Sequence, residues 1–337
     1  MDGIPFSSFP QPPAMLEALE RASAKLGIPG LEPGRVIRVD RTLPLVSCSR
    51  GSVRAEHAVA LVKGGDTLAA VGDWVALDFP GDHDNAVIRS ILPRVNALSR
   101  ADRSRKSGRQ TLATNIDMVF IVTPMADVVD RLGHLERELV ISYQSMARPA
   151  IVLSKSDECD DPAAAIEAVE RIALDLPVVA ESIIDGGGVD EIASLVGAGE
   201  VAVLLGKSGV GKSSLVNAII GEDVQQTGEV RARDGKGRHT TIARRMVQLP
   251  NGGFIIDAPG LRSFVLTGSE TGVRSAFADI FELAADCRFR DCAHESEPGC
   301  AVQEAIAAGK LDRRRFESYK AISAEVASVS EGRPKRR

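Results

Sequence analysis

The run Val201-Ala202-Val203-Leu204-Leu205-Gly206-Lys207-Ser208-Gly209-Val210-Gly211-Lys212-Ser213-Ser214 joins five apolar residues to the pattern G-x-x-x-x-G-K-S. The apolar half predicts a buried strand, and the spacing after it predicts a helix over Ser214 to Ile220. Between the two, glycines let backbone N–H groups turn inward around phosphate oxygens. The helix N-terminus adds its partial positive charge. Gly206, Lys207, Ser208, Gly209, Val210, Gly211, Lys212, Ser213 and Ser214 are therefore the expected phosphate cradle. Within it, Lys212 is expected to bridge the β- and γ-phosphates and Ser213 to ligate Mg²⁺. A chance glycine-rich turn would not carry every motif position and both flanks.

Working downstream, the apolar Phe254-Ile255-Ile256 is followed by Asp257-Ala258-Pro259-Gly260. An aspartate at a strand's carboxyl end beside such a loop suits a second Mg²⁺ contact, and Gly260 can offer its N–H to a γ-phosphate. Gly235-Lys236-Gly237-Arg238-His239-Thr240-Thr241 lies between. Thr240 or Thr241, with Thr241 preferred, is a candidate magnesium-side residue that would order with the triphosphate. Leu261 stands where many GTPases place a water-orienting glutamine. His239 is the nearest candidate for that work, against a plain loop-positioning role.

Upstream, Ile151-Val152-Leu153 runs into Ser154-Lys155-Ser156-Asp157. Asp157 can accept from a guanine edge and the Lys155 stem can lie over the ring. Ser154 stands where an asparagine is usual; its hydroxyl can tie this turn to the phosphate loop but cannot bond at two ends as an amide does. Further on, Val178-Val179-Ala180-Glu181-Ser182-Ile183 resembles the loop whose backbone N–H reaches guanine O6, with Ser182 and Ile183 at the contact.

Around these motifs, strand-like runs at Met118–Val122, Ala150–Leu153, Pro177–Val179, Val201–Leu205 and Gly253–Ile256 mostly alternate with helix-length segments, which predicts an α/β domain with a largely parallel sheet. Before them, Arg35–Val39, Leu43–Cys48, Val53–Val62, Asp73–Phe79 and Ala86–Leu92 predict five short strands, a small OB-like β-barrel. The expected organisation is an N-terminal extension (1–33), the barrel (34–98), a basic linker (99–113), the α/β domain (114–271) and a mostly helical segment with a basic tail (272–337). In the extension, Leu16, Leu19 and Leu26 recur at roughly helical spacing.

Cys287, Cys292, His294 and Cys300 offer three thiolates and an imidazole within fourteen residues. Four such ligands suit one structural, tetrahedral Zn²⁺ with no position left open for catalysis. Five cysteines, three of them clustered, fit metal binding in a reducing compartment rather than a disulfide framework. The 337 residues carry a net charge of -5, yet Arg100 to Arg109, Arg231 to Arg245 and the tail Arg333, Lys335, Arg336, Arg337 are basic. Three such blocks point to a polyanion partner. With 4% aromatic residues, broad stacking platforms are not expected. Neither a signal peptide nor a membrane span is read from the sequence, so a cytoplasmic monomer without a membrane partner is expected.

The order of motifs is telling. The guanine motifs precede the phosphate loop, a circular permutation of the usual GTPase order. Together with Val71-Gly72-Asp73-Trp74-Val75, the Gln110 to Asp117 run, Gly237-Arg238-His239-Thr240-Thr241 and the cysteine cluster, it resembles the ribosome small-subunit-dependent GTPase A family (RsgA, also called YjeQ) over roughly residues 34–326. The resemblance implies a multidomain chain of OB barrel, permuted GTPase domain and zinc domain. It implies GTP/GDP with Mg²⁺ as ligands and the small ribosomal subunit with its rRNA as partner. GTP hydrolysis would be stimulated by that subunit during its late maturation, with His239 matching a histidine considered catalytic. Ser154, Ile183 and the N-terminal extension depart from the family pattern. Two other readings stay open: a diverged RNA-binding assembly module with structural nucleotide and negligible hydrolysis, favoured by Leu261 and Ser154, and an ATP-using enzyme, disfavoured by Asp157.

Overall fold

The computed structural model of the protein describes residues 3–40, 43–63, 68–81, 85–101, 109–221, 244–257, 266 and 269–330. His239, Thr240, Thr241, Gly260, Leu261 and the basic tail lie outside the described residues.

Helix α1 (Pro13–Leu26) starts with proline in its first turn and ends at Gly27 in the left-handed conformation. It buries Met15, Ala18 and Leu19, whereas Leu16 and Leu26 are exposed. The buried stripe thus begins one residue before the leucine periodicity, because Met15 faces inward. The chain ahead of α1 is packed too. The Ser47 hydroxyl donates to the Ile4 carbonyl at 2.6 Å, and Phe6 and Phe9 meet the Trp74 ring edge-on.

The barrel comprises β1 (Glu32–Val39), β2 (Leu45–Cys48), β3 (Gly51–His57), β4 (Trp74–Asp78) and β5 (Ala86–Ile91). It closes because β1 pairs with both β2 and β4. Val36, Val46, Cys48, Ala55, Val75, Leu77 and Ile88 fill it. The strand expected over Val53–Val62 stops at His57 and gives way to α2 (Val59–Lys63). Val59 and Val62 are exposed there, so no apolar face holds them in a ladder. Residues 99–113, read as a linker, contribute to an antiparallel pair, β6 (Ala97–Ala101) with β7 (Arg109–Thr114).

The α/β part contains β8 (Met118–Pro124), α3 (Leu132–Gln144), β9 (Arg148–Ser154), α4 (Pro162–Ala173), β10 (Val178–Ala180), α5 (Val189–Ser194), β11 (Val201–Leu205), α6 (Lys212–Ile220), β12 (Arg244–Gln248) and β13 (Phe254–Asp257). The strand order is β10-β9-β8-β11-β13-β12, with β12 antiparallel and the others parallel. Strands β8 and β11 are buried on both faces, as a parallel sheet between helix layers requires. β12 was not foreseen: its residues Arg244, Arg245, Met246, Val247 and Gln248 bury only Met246. It also pairs with β1, Arg38 opposite Arg245 and Val39 opposite Arg244, so barrel and parallel sheet form one eleven-stranded sheet among the described residues.

The C-terminal part is helical: α7 (Thr271–Ala276), α8 (Ala278–Ala285), α9 (Ala301–Ala307) and α10 (Arg313–Ser330). Arg315 on α10 anchors it, donating to Glu136 on α3 at 3.0 Å and to both carboxylate oxygens of Asp279 on α8. Among the described residues no helix is long and apolar enough to cross a membrane.

Candidate nucleotide-binding site and metal centre

Strand β11 lies in the middle of the parallel sheet, between β8 and β13, and delivers the phosphate loop at its carboxyl end. Gly206 leaves the strand with φ 135°, and a Cβ there would sit 2.3 Å from the Val122 carbonyl oxygen. No side chain fits that approach. Helix α6 begins at Lys212, two residues earlier than expected, with Gly211 capping it at φ 96°. Lys212 and Ser213 therefore stand in the first turn, where backbone N–H groups lack partners within the helix. The Lys212 ammonium folds over the loop, donating to the carbonyls of Gly206 at 2.7 Å and Lys207 at 2.6 Å. Lys207, Ser208 and Gly209 are exposed along the rim, Val210 is buried and Ser214 is partly buried. Asp257 ends β13, the neighbour of β11.

The turn Ser154-Lys155-Ser156-Asp157 follows β9. The buried Ser154 hydroxyl donates to the Val210 carbonyl at 2.7 Å, so two segments 56 residues apart in sequence meet directly. Lys155 takes the left-handed conformation, φ 57°, and its ammonium lies 3.0 Å from Glu158. Asp157 is exposed on the short helical turn Ser156–Glu158. After β10, Ser182 is buried, and its hydroxyl accepts from the Asp185 N–H at 3.2 Å while Ile183 is exposed. The structure thus gathers Ser154, Lys155, Asp157, Ser182, the residues 206–214 and Asp257 along the carboxyl ends of neighbouring strands. Thr240, Thr241, His239 and Gly260 cannot be placed with them, since they fall outside the described residues.

Glu181 was not singled out from the sequence. It is 1% exposed, and burial pushes its carboxyl up to about 7, opposed by the nearby Lys155 backbone N–H and reinforced by the charge of Asp157. Its signal was a lone acid at the end of an apolar strand.

The cysteine cluster assembles as expected. Cys287 Sγ and Cys300 Sγ each lie 3.5 Å from His294 Nδ1 and 3.9 Å from one another, and the four ligand atoms including Cys292 Sγ fall within 4.8 Å. Two sulfurs bound tetrahedrally at about 2.3 Å stand roughly 3.8 Å apart, so this donor set fits zinc. Sequence reading missed the residues that shape the loop. The Glu297 carboxylate accepts the N–H groups of Ala293, Glu295 and Ser296, and its own backbone N–H with these holds it down to about 2. Gln303 donates to the His294 carbonyl at 2.6 Å, and His294 itself has φ 58°.

A family model described as RsgA GTPase matches residues 91–267. The Small ribosomal subunit biogenesis GTPase RsgA of Streptomyces coelicolor is 44% identical over 307 residues, 90% of this chain and 83% of that protein. The protein of that name from Methanosarcina acetivorans is 40% identical over 297 residues, 88% of this chain and 80% of its own. Among solved structures, YjeQ from Thermotoga maritima matches with a TM-score of 0.66 at 24% identity, over 88% of this chain and 99% of that one. YloQ, a circularly permuted GTPase, matches with a TM-score of 0.61 at 22% identity, over 91% and 98%. At such identities the structures speak for the fold alone, which is the barrel, permuted α/β sheet and helical cysteine-bearing part described above. Sequence likeness over most of the chain carries the rest: the chain belongs to the RsgA GTPase family.

Proposed function

We propose that this GTPase binds the small ribosomal subunit and couples GTP hydrolysis to its late maturation, as the names of its relatives lead one to expect. The cytoplasm is the proposed place of action. In this reading residues 206–214 cradle the phosphates and Lys212 leaves the loop carbonyls to meet the β- and γ-phosphates. Ser213, Asp257 and Thr241 hold Mg²⁺. Lys155 and Asp157 read guanine, with a backbone N–H of the Ser182–Ile183 turn at O6. His239 orients or deprotonates the attacking water. Cys287, Cys292, His294 and Cys300 hold one structural zinc. The observation that carries the nucleotide reading is the Ser154–Val210 hydrogen bond, which ties the base-reading turn to the phosphate loop.

The test is GTP turnover by purified protein with and without purified small subunits. Strong stimulation is the expected outcome, abolished by Lys212→Ala and reduced by His239→Ala. GTP binding with no turnover in either condition would instead favour a non-hydrolysing RNA-binding role.

A further inference from the structure

Between the first two cysteines of the cluster runs Arg288-Phe289-Arg290-Asp291, and every residue of that run is exposed. Phe289 is 42% exposed, and among the described residues it is the only phenylalanine, tyrosine or tryptophan left so. One apolar side chain in water is ordinary. The surroundings of this one are not.

The turn that carries the ring is braced. The Arg288 N–H donates to the Gly299 carbonyl at 3.0 Å, and the Cys292 N–H to the Phe289 carbonyl at 3.3 Å. Gly299 is left-handed at φ 76°, and a Cβ there would stand 3.1 Å from the Arg288 Cβ, so the far side of the loop closes directly on Arg288. Cys287 and Cys292, on either side, both belong to the ligand cluster. A ring held this way costs little further ordering when something binds it.

The charges are open as well. The Arg288 guanidinium lies 5.4 Å from the Phe289 ring centroid, and no other ring packs on Phe289 among the described residues. Elsewhere in this helical part cations are matched: Arg315 meets Glu136 and Asp279, and Lys320 meets Glu295. Arg288 and Arg290 form no ion pair among the described residues, not even with the adjacent Asp291. An open ring between two guanidinium groups suits an unstacked nucleobase, which lies on the ring while the arginines meet the neighbouring phosphates. A protein pocket would take the ring without needing two bare cations. A membrane surface would need far more apolar area than one side chain.

We propose that Phe289 is a base-stacking contact for single-stranded RNA, with Arg288 and Arg290 on the flanking phosphates. This inference rests on the small ribosomal subunit being the partner, and it puts an unpaired nucleotide of that subunit's RNA against the turn Arg288–Asp291.

The experiment measures binding of the full chain to purified small subunits across a salt series, with a non-hydrolysable GTP analogue present. Wild type is compared with Phe289→Leu, Phe289→Trp and Arg290→Gln. Leucine keeps apolar bulk without a π-face, and tryptophan keeps the face. Losing a stacked base should weaken binding in Phe289→Leu about fivefold or more, while Phe289→Trp stays within about twofold of wild type. Arg290→Gln should flatten the slope of log affinity against log salt by about 0.7, the share of one single-strand phosphate. Zinc content and GTP turnover without subunits should match wild type in all three. If the leucine variant loses zinc, the salt slope of Arg290→Gln carries the test. Wild-type affinity in Phe289→Leu overturns the proposal, as does an unchanged slope in Arg290→Gln. An equal loss in the leucine and tryptophan variants marks a shape-fitting protein pocket and overturns it too. A wild-type chain that does not bind small subunits overturns the partner reading and this proposal together.

Discussion

Ser154 holds with one bond a junction where an amide would bond at two ends. Its hydroxyl donates to Val210 in a buried setting, so removing it leaves that carbonyl without this donor. A buried hydrogen bond is worth about 1 kcal/mol. Ser154→Ala should therefore weaken fluorescent GDP binding roughly fivefold in an equilibrium titration; unchanged affinity would show that the two loops are coupled by other contacts. Glu181 has a pH signature of its own. Its folded carboxyl titrates at about 7, above the ordinary glutamate value of 4.5, chiefly because it is buried. The folded state thus binds this proton more tightly than the unfolded chain. The stability it allows is fully present below about 4.5, falls as pH rises through 7 and is then level, a loss of about 3 kcal/mol. Thermal melts should place Glu181→Gln above wild type at pH 8, with the gap closing towards pH 5.

At the scale of elements, regular patterns were legible and short polar ones were not. Four of the five parallel strands, β8, β9, β11 and β13, were readable because burial on both faces makes them continuous apolar runs, Val201–Leu205 most plainly. β12 was hidden because a strand that buries only Met246 has no hydrophobic signature, and its place is set by pairing with β13 on one side and β1 on the other. The strand-like run after His57 became α2 because nothing covers Val59 and Val62. The cysteine-bearing loop between α8 and α9 is mostly exposed, and Glu297 organises it by accepting three of its backbone N–H groups. Zinc analysis of the purified chain should find about one ion per chain. A strong chelator should release it and open residues 287–300 to protease while the parallel sheet stays resistant. Retained protection without metal would argue that Glu297 and Gln303 suffice.

For the whole molecule, the first residues do more than the sequence indicated. Phe9, 4% exposed, stacks on Phe254 of the parallel sheet at 4.7 Å and meets Trp74 of the barrel edge-on at 6.4 Å. One side chain thus bridges both parts, beside the backbone joint between β1 and β12. Truncating a buried phenylalanine costs about 3–5 kcal/mol. Phe9→Ala should lower stability in urea unfolding by about that much, and a loss below about 1 kcal/mol would mean that the N-terminal strap is dispensable.

The sequence alone pointed to the barrel, the permuted α/β order, the G-x-x-x-x-G-K-S loop between strand and helix, and the Cys287, Cys292, His294, Cys300 cluster. Each is written in local spacing: alternating or continuous apolar runs, a glycine pattern between strand and helix, and three cysteines with a histidine within fourteen residues. The tie from Ser154 to the phosphate loop was expected from the sequence, but only the tertiary structure decided that its partner is the Val210 carbonyl, that Glu181 lies buried beside the turn after β9, and that Phe9 spans barrel and sheet. Those are contacts between residues far apart in the chain or between neighbouring strand ends. Such pairings depend on which strands lie side by side and how deeply each end is covered, and no local pattern encodes either.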